Sequence, residues 1–351
     1  MIDFRYHLVS IVAVFLALAI GIVVGATALK PKTEEVLDNE SRIAQHQIST
    51  QRTKIQNFQN EIASDDALAQ ATAPRVLSGL LENQRVVLVT APGADGATVS
   101  GITSDLKLAG AKVAGQVQLQ SPFFDTSATR ENSLDVLASK VAPPGVTPGS
   151  PSAQAYVNAE IAGQQEAAQV LAPALVTKNG TDLPADQTSQ ILSGFAQQGF
   201  LQLGPNSASV APPQATLAVV VIPATPPSTA DANPENLALL SLAQQLALNS
   251  KGVVLAGSLT GSLTGSGPGS AIDELTNGNT GVQLQVSSVD DADHPSGQLM
   301  VAEALSDLLN NQKAQPYGVS RTLVPDPAPT PSATPSGTPT PTTSPARKNR
   351  A

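Results

Sequence analysis

Leu8–Leu29 reads LVSIVAVFLALAIGIVVGATAL, with no charged side chain and only Ser10 and Thr27 as polar ones. At about 1.5 Å rise per residue the run makes roughly 33 Å of helix, enough to cross a hydrocarbon core of about 30 Å. A buried core helix of this length would ordinarily show a polar face, and this one has none. A cleavable signal peptide is the closer rival, because Ala26-Thr27-Ala28 matches a small-x-small cleavage pattern and Arg5 supplies a short positive region. The apolar run nevertheless exceeds the usual signal-peptide core of about 7–15 residues. Residues 1–32 therefore read as an uncleaved signal anchor. Arg5 lies on one flank and Lys30 and Lys32 on the other, so charge does not set the orientation. The short N-terminal tail points to a cytoplasmic N-terminus, with the large domain outside the cytoplasm.

The anchor also carries a packing pattern. Ala13, Ala17, Gly21 and Gly25 recur every fourth residue and share one helix face. Gly21 and Gly25 form a G-x-x-x-G pair, which lets two backbones approach closely in lipid. Beyond the anchor, residues 33–73 read as a stalk. A heptad places Ser41, Ile48, Ile55 and Ile62 at a, and Leu37, Ala44, Gln51 and Phe58 at d. Ser41 and Gln51 weaken the seam, and an amphipathic helix packed on its own domain is the competing reading. A parallel homodimer continuous with the membrane helix accounts for both patterns.

Residues 80–320 carry a different rhythm. Arg85-VVLVT-Ala91 is an apolar, β-branched run followed by the turn Pro92-Gly93. Thr98–Leu108 reads as a helix ended by Gly110, and Ala111-KVAGQVQL resumes an extended pattern, which makes a βαβ unit. Ala215-TLAVVVIP and Gly252-VVLAG are further strands, separated by a helix over Asn236–Leu248. Val282-QLQVSSV alternates as a strand, and Gly297–Asn310 reads as a terminal helix. Ser133–Phe200 is mostly helical, with a Pro/Gly-rich loop at Ala142–Pro151. The expected fold class is α/β: a parallel-rich sheet with helices on both faces, carried outside the cytoplasm. From residue 325 to 351, Pro alternates with Thr and Ser, a composition that cannot bury a core and predicts a disordered tail able to carry O-linked sugar in an exported protein.

Composition excludes several function classes. The chain has no Cys, so no disulfide, thiolate metal site or Cys nucleophile exists. A net charge of −9 with no basic patch argues against nucleic acid as a partner. Ser residues are many, but no G-x-S-x-G occurs and only His294 is available as a base, so the reading is of a protein that is not an enzyme. Three local groupings remain. Asp290, Asp291, Asp293 and His294 follow a strand; they are the weak metal-ligand candidates, and a solvated loop or helix N-cap is the favoured reading, because Asp before a helix complements its dipole. Pro92–Gly96 sits where a doubly wound sheet binds ligands, but lacks G-x-G-x-x-G. Gly257–Ser270, GSLTGSLTGSGPGS, reads as a surface loop.

The opening DFRYHLVSIVAVFLALAIGIVVG, the heptad stalk, VVLVTAPGAD, VSSVDDADHPSGQ and the late Pro316-Tyr317-Gly318 together resemble the actinobacterial MctB family. The resemblance covers most of residues 1–320. It implies a cell-envelope protein tied to copper transport in the outer membrane and, under the name SteB, to cell separation through activation of a peptidoglycan hydrolase at the septum. Copper as a cofactor rests on that resemblance alone. Copper favours thiolate, thioether and imidazole, and the chain offers only Met1, Met300, His7, His46 and His294. The residues favour a non-catalytic scaffold presented on a stalk, with Gly21, Gly25, Ile48, Ile55, Phe58 and Ile62 as its interaction surface. The alternatives are a copper-transport component and a ligand-binding sensor using the Pro92–Gly96 loop.

Overall fold

The computed structural model describes residues 4–149, 159–180, 182–204, 214–223, 232–258, 270–277, 285–310 and 313–318. The expected disordered tail at 325–351, most of the Gly257–Ser270 loop and the start of the Val282 run lie outside these residues. The chain divides into two units, with the boundary between Thr72 and Ala73.

The first unit is helical. Helix α1 runs without interruption from Phe4 to Val76. Its segment Tyr6–Gly25 has a mean hydropathy of 2.9 and is long and apolar enough to cross a membrane. Anchor and heptad stretch are thus turns of one helix.

The second unit is a mixed α/β fold. Its elements after α1 are β1 (Arg85–Thr90), α2 (Gly96–Leu108), β2 (Lys112–Leu119), α3 (Ala128–Val141), α4 (Ala162–Leu175) and α5 (Ala185–Gln197). There follow β3 (Leu201–Leu203), β4 (Leu217–Val221), α6 (Ala232–Asn249), β5 (Gly252–Ala256), α7 (Ala271–Asn277), β6 (Ser287–Val289), α8 (Pro295–Leu309) and β7 (Pro316–Tyr317). They form one seven-stranded sheet in the order β3-β2-β1-β4-β5-β6-β7. Every neighbouring pair is parallel except β2 with β3.

Period-two alternation along the central strands builds two cores. Val87, Val89, Ala218, Val220, Val253 and Leu255 point to one face and pack with buried residues of α3–α7. Val86, Leu88, Leu217, Val219, Val221 and Val254 point to the other, where the last turn of α1, α2 and α8 cover them. Both faces are filled, so β4 and β5 are buried at every position and read as unbroken apolar runs. The expectation of helices on both faces of a parallel-rich sheet holds.

Local details differ from the sequence reading. Helix α2 begins two residues earlier than Thr98, because Asp95 caps it: Thr98 donates its backbone N–H to Asp95 Oδ2 at 2.9 Å. Helix α8 begins at Pro295, a residue suited to the first helical turn, not at Gly297. The strand expected over Val282–Val289 is confined, among described residues, to Ser287–Val289. The edge strands β3 and β7 carry too few residues to show a periodicity.

Candidate functional site

In this topology the carboxyl ends of β1, β4, β5, β6 and β7 share one edge of the sheet. The chain turns outward there after Thr90, Val221, Ala256, Val289 and Tyr317. Two groups of residues stand on that edge.

The first group follows β5 and β6. One ligand atom from each of Asp291, Asp293 and His294 lies within 4.8 Å of the others. Ser258, just past β5, donates its hydroxyl to Asp293 Oδ2 at 2.9 Å. Ser296, in the first turn of α8, donates to Asp291 Oδ2 at 3.0 Å. The backbone N–H of His294 donates to the Asp291 carbonyl at 3.1 Å, closing the turn that leads into α8. Burial pushes the Asp291 carboxyl up, opposed by the Ser296 hydrogen bond and the His294 charge and reinforced by Asp293 and Asp290. Three of the four sequence candidates thus meet. Asp290 does not join them: it is buried, and a Cβ built on Gly318 would overlap its Oδ1, so this carboxylate is packed against β7. Two carboxylates and an imidazole are a donor set for a divalent ion, Cu(II) and Zn included. The same residues also make the N-terminal turn of α8, with His294 as its N-cap residue.

The second group stands where strand order reverses, between β1 and β4. A doubly wound sheet opens a crevice at such a switch point. Here Ala91, Pro92, Phe124, Ile222, Pro223 and Leu239 wall a narrow apolar cleft of about 20 Å³. It abuts an open groove of about 410 Å³ that shares Phe124 and Glu235 and is rimmed by Pro122, Asp125, Thr126 and Arg130. Arg130 lies 3.9 Å from Asp125. Sequence reading found the Pro92–Gly96 turn but not Phe124 or the start of α6. The available signal was a proline directly after the apolar end of a strand, at both Ala91-Pro92 and Ile222-Pro223. The turn itself is no phosphate cradle. Gly93 takes a φ of +78°, and the Asp95 carboxylate already accepts from the first turn of α2, where an anion would sit. Those hydrogen bonds hold the Asp95 carboxyl below its ordinary value.

The residues expected from sequence to form an interaction surface are all on α1. Ile48, Ile55, Phe58 and Ile62 are between 46% and 62% exposed, unusually open for large apolar side chains at heptad spacing. Gly21 and Gly25 have open space where a Cβ would stand. The side chains of Leu37 and Ser41 lie outside the described residues.

A family model described as copper transport outer membrane protein, MctB, matches residues 1–325. A Mycobacterium tuberculosis protein named copper transporter MctB is 26% identical over 322 residues, covering 91% of this chain and 96% of its own length. The Mycobacterium leprae protein of the same name is 26% identical over 323 residues, with the same coverage.

Proposed function

The chain belongs to the MctB family, and from that premise we propose that it is a membrane-anchored envelope component of copper transport. It acts without catalysis, by presenting a protein-binding surface. The observation that carries this reading is α1: one helix joins a membrane-length apolar segment to a stretch of exposed heptad residues. A single helix encloses no lumen, and among the described residues the sheet of the second unit does not close on itself but ends at β3 and β7. The copper role comes from the names of the relatives; the accessory character comes from the architecture. The chain is a single-pass protein with its α/β unit outside the cytoplasm. It associates as a parallel homodimer through Gly21, Gly25, Ile48, Ile55, Phe58 and Ile62.

A second reading is favoured by the same exposed seam. A scaffold that activates cell-wall separation, with a septal membrane protein or a peptidoglycan hydrolase as partner, would need an exposed recognition helix and no chemistry of its own. A third, a ligand-binding sensor, is favoured by the cleft at the switch point. Crosslinking in intact cells followed by capture of the full chain separates the first two. Partners whose recovery changes with copper support the transport reading. Cell-wall hydrolases recovered equally with and without copper support the scaffold instead.

A further inference from the structure

We infer that the Asp135 and Glu166 carboxyls form a proton-operated latch, which seats α3 on α4 while they share a proton and releases it when both are charged. This goes beyond the proposed function and does not depend on it. Glu166 is the one titratable side chain of α4. Among the described residues its Oε2 is shut off from solvent and receives no N–H or hydroxyl donor. The Asp135 carboxyl of α3 lies within hydrogen-bond reach of Glu166. Two carboxyls bond each other only while one of them keeps its proton. The surrounding backbone gives the pair little room to part. Gly163 and Glu166 are one turn apart on α4, as Glu131 and Asp135 are on α3. A Cβ on Gly163 would stand 2.7 Å from the Glu131 carbonyl oxygen, so the two helices touch one turn before the pair. A Cβ on Gly149 would stand 2.9 Å from Glu166 Oε1, so the turn at that glycine abuts the same carboxyl.

The charges around the pair do not offset it. The elements packed on α4 are α3, α5, α6 and the short turn Ala159–Ile161. They carry the acids Glu131, Asp135, Glu160, Asp186 and Glu235 and the cations Arg130 and Lys140, and residues 142–149 carry neither. Arg130 is turned to Asp125, and Lys140 stands on a different face of α3 from Asp135. Burial first, and then the Asp135 hydrogen bond and charge, push Glu166 up to about 7. The buried residues of α3 are Leu134 and Ala138, so repulsion between two charges has little packing to overcome. Arg130, in the first turn of α3, is on the rim of the groove, and release of the helix therefore alters that rim.

The absence of Cys lets single thiols report the opening in the full chain. Ala138→Cys stands at a buried position of α3, and Ala218→Cys at a buried position of the central strand β4. The protection of each thiol is its labelling rate relative to the same protein in urea at the same pH, which removes the titration of the thiol itself. Protection at the α3 position should fall by about tenfold or more between about pH 5.5 and about pH 8.5. The β4 position should stay the better protected throughout. Glu166→Gln and Asp135→Asn each replace the shared proton by an amide donor that does not titrate, and each should hold the α3 protection constant within about twofold. Protection in the parent protein that does not move with pH, or a fall that survives either replacement, overturns the inference. Equal protection at the two thiols overturns it too, since the whole unit would then be unfolding rather than α3 alone.

Discussion

Ser258 and Asp293 are joined by a hydrogen bond of 2.9 Å that ties the end of β5 to the loop after β6. Asp291 is tied in the same way to Ser296. Both carboxylates are thereby held by protein donors, and His294 is the sole imidazole beside them. A metal would have to displace or share those hydroxyls. The full chain in mild detergent is therefore expected to bind Cu(II) no more tightly than a generic acidic surface. Titration calorimetry checks this. A saturable one-to-one isotherm that disappears in His294→Ala would assign the cluster to metal and make the chain a carrier of the ion.

Dimerisation is testable on α1. Gly21→Leu and Gly25→Leu block close approach in lipid, and Ile55→Asp places a charge in the heptad seam. The triple variant should be monomeric in mild detergent by light scattering while the parent protein is dimeric. A monomeric parent protein would refute the dimer.

The stalk can be separated from a passive spacer. Exchange of residues 37–62 for an unrelated parallel dimeric coiled coil of equal length keeps distance and oligomeric state but removes the native surface. In the heptad read from sequence Gln51 falls at d, where a polar residue would exchange stability for specificity. Cells carrying the exchange are expected to lose normal copper tolerance or normal separation. Wild-type behaviour in both would reduce the stalk to a spacer.

Acidic groups inside the second unit give stability a pH dependence. Burial pushes Asp105 up to about 6. Glu166 is pushed up to about 7, first by burial and then by the hydrogen bond and charge of Asp135. Folded-state values above the unfolded ones mean that the native state holds the extra protons. Their contribution is full below about pH 4 and is lost as pH rises through 6 to 7. The melting temperature should therefore fall between pH 5 and pH 8. Asp105→Asn should recover about 1 kcal/mol at pH 8, a value discounted because the side chain is only partly buried. A variant whose melting temperature follows the parent protein at every pH would show that Asp105 is not the source.

Gly318 should be a sensitive glycine near the carboxyl edge. Its φ is +122°, and a Cβ there would overlap the Asp290 carboxylate. Gly318→Ala is expected to cost about 2 kcal/mol or more by strain and by displacement of β7. Gly96→Ala, with open space around it in the first turn of α2, should change stability by less than about 0.5 kcal/mol. Equal losses at the two positions in denaturant unfolding would contradict the tight seat of Asp290.

The central strands were legible because the sheet is covered on both sides, which turns β1, β4 and β5 into short unbroken runs of Val, Leu and Ala. The start of helix α1 was legible from length, since an apolar run of 22 residues is too long for a strand and too uniform for a surface helix. The sites were harder to read. Asp291, Asp293 and His294 are adjacent in sequence, so their meeting was visible. That Asp290 turns away depended on β7, whose two residues pair with β6 across a long sequence gap. The cleft was hidden for a similar reason, since Ala91, Phe124, Ile222 and Leu239 come from four separate segments and only the strand order brings them together.

The sheet ends in strands of three and two residues, β3 and β7. A long bare edge is a template on which a second chain can add a strand and begin to aggregate. Copies held in a membrane by the apolar segment Tyr6–Gly25 would face that hazard more sharply, because a plane confines them at high local density. Edges this short offer no more than a couple of ladder bonds, and Pro316 removes a donor from one of them. Copies crowded side by side would then meet without a long bare edge on which their sheets could fuse.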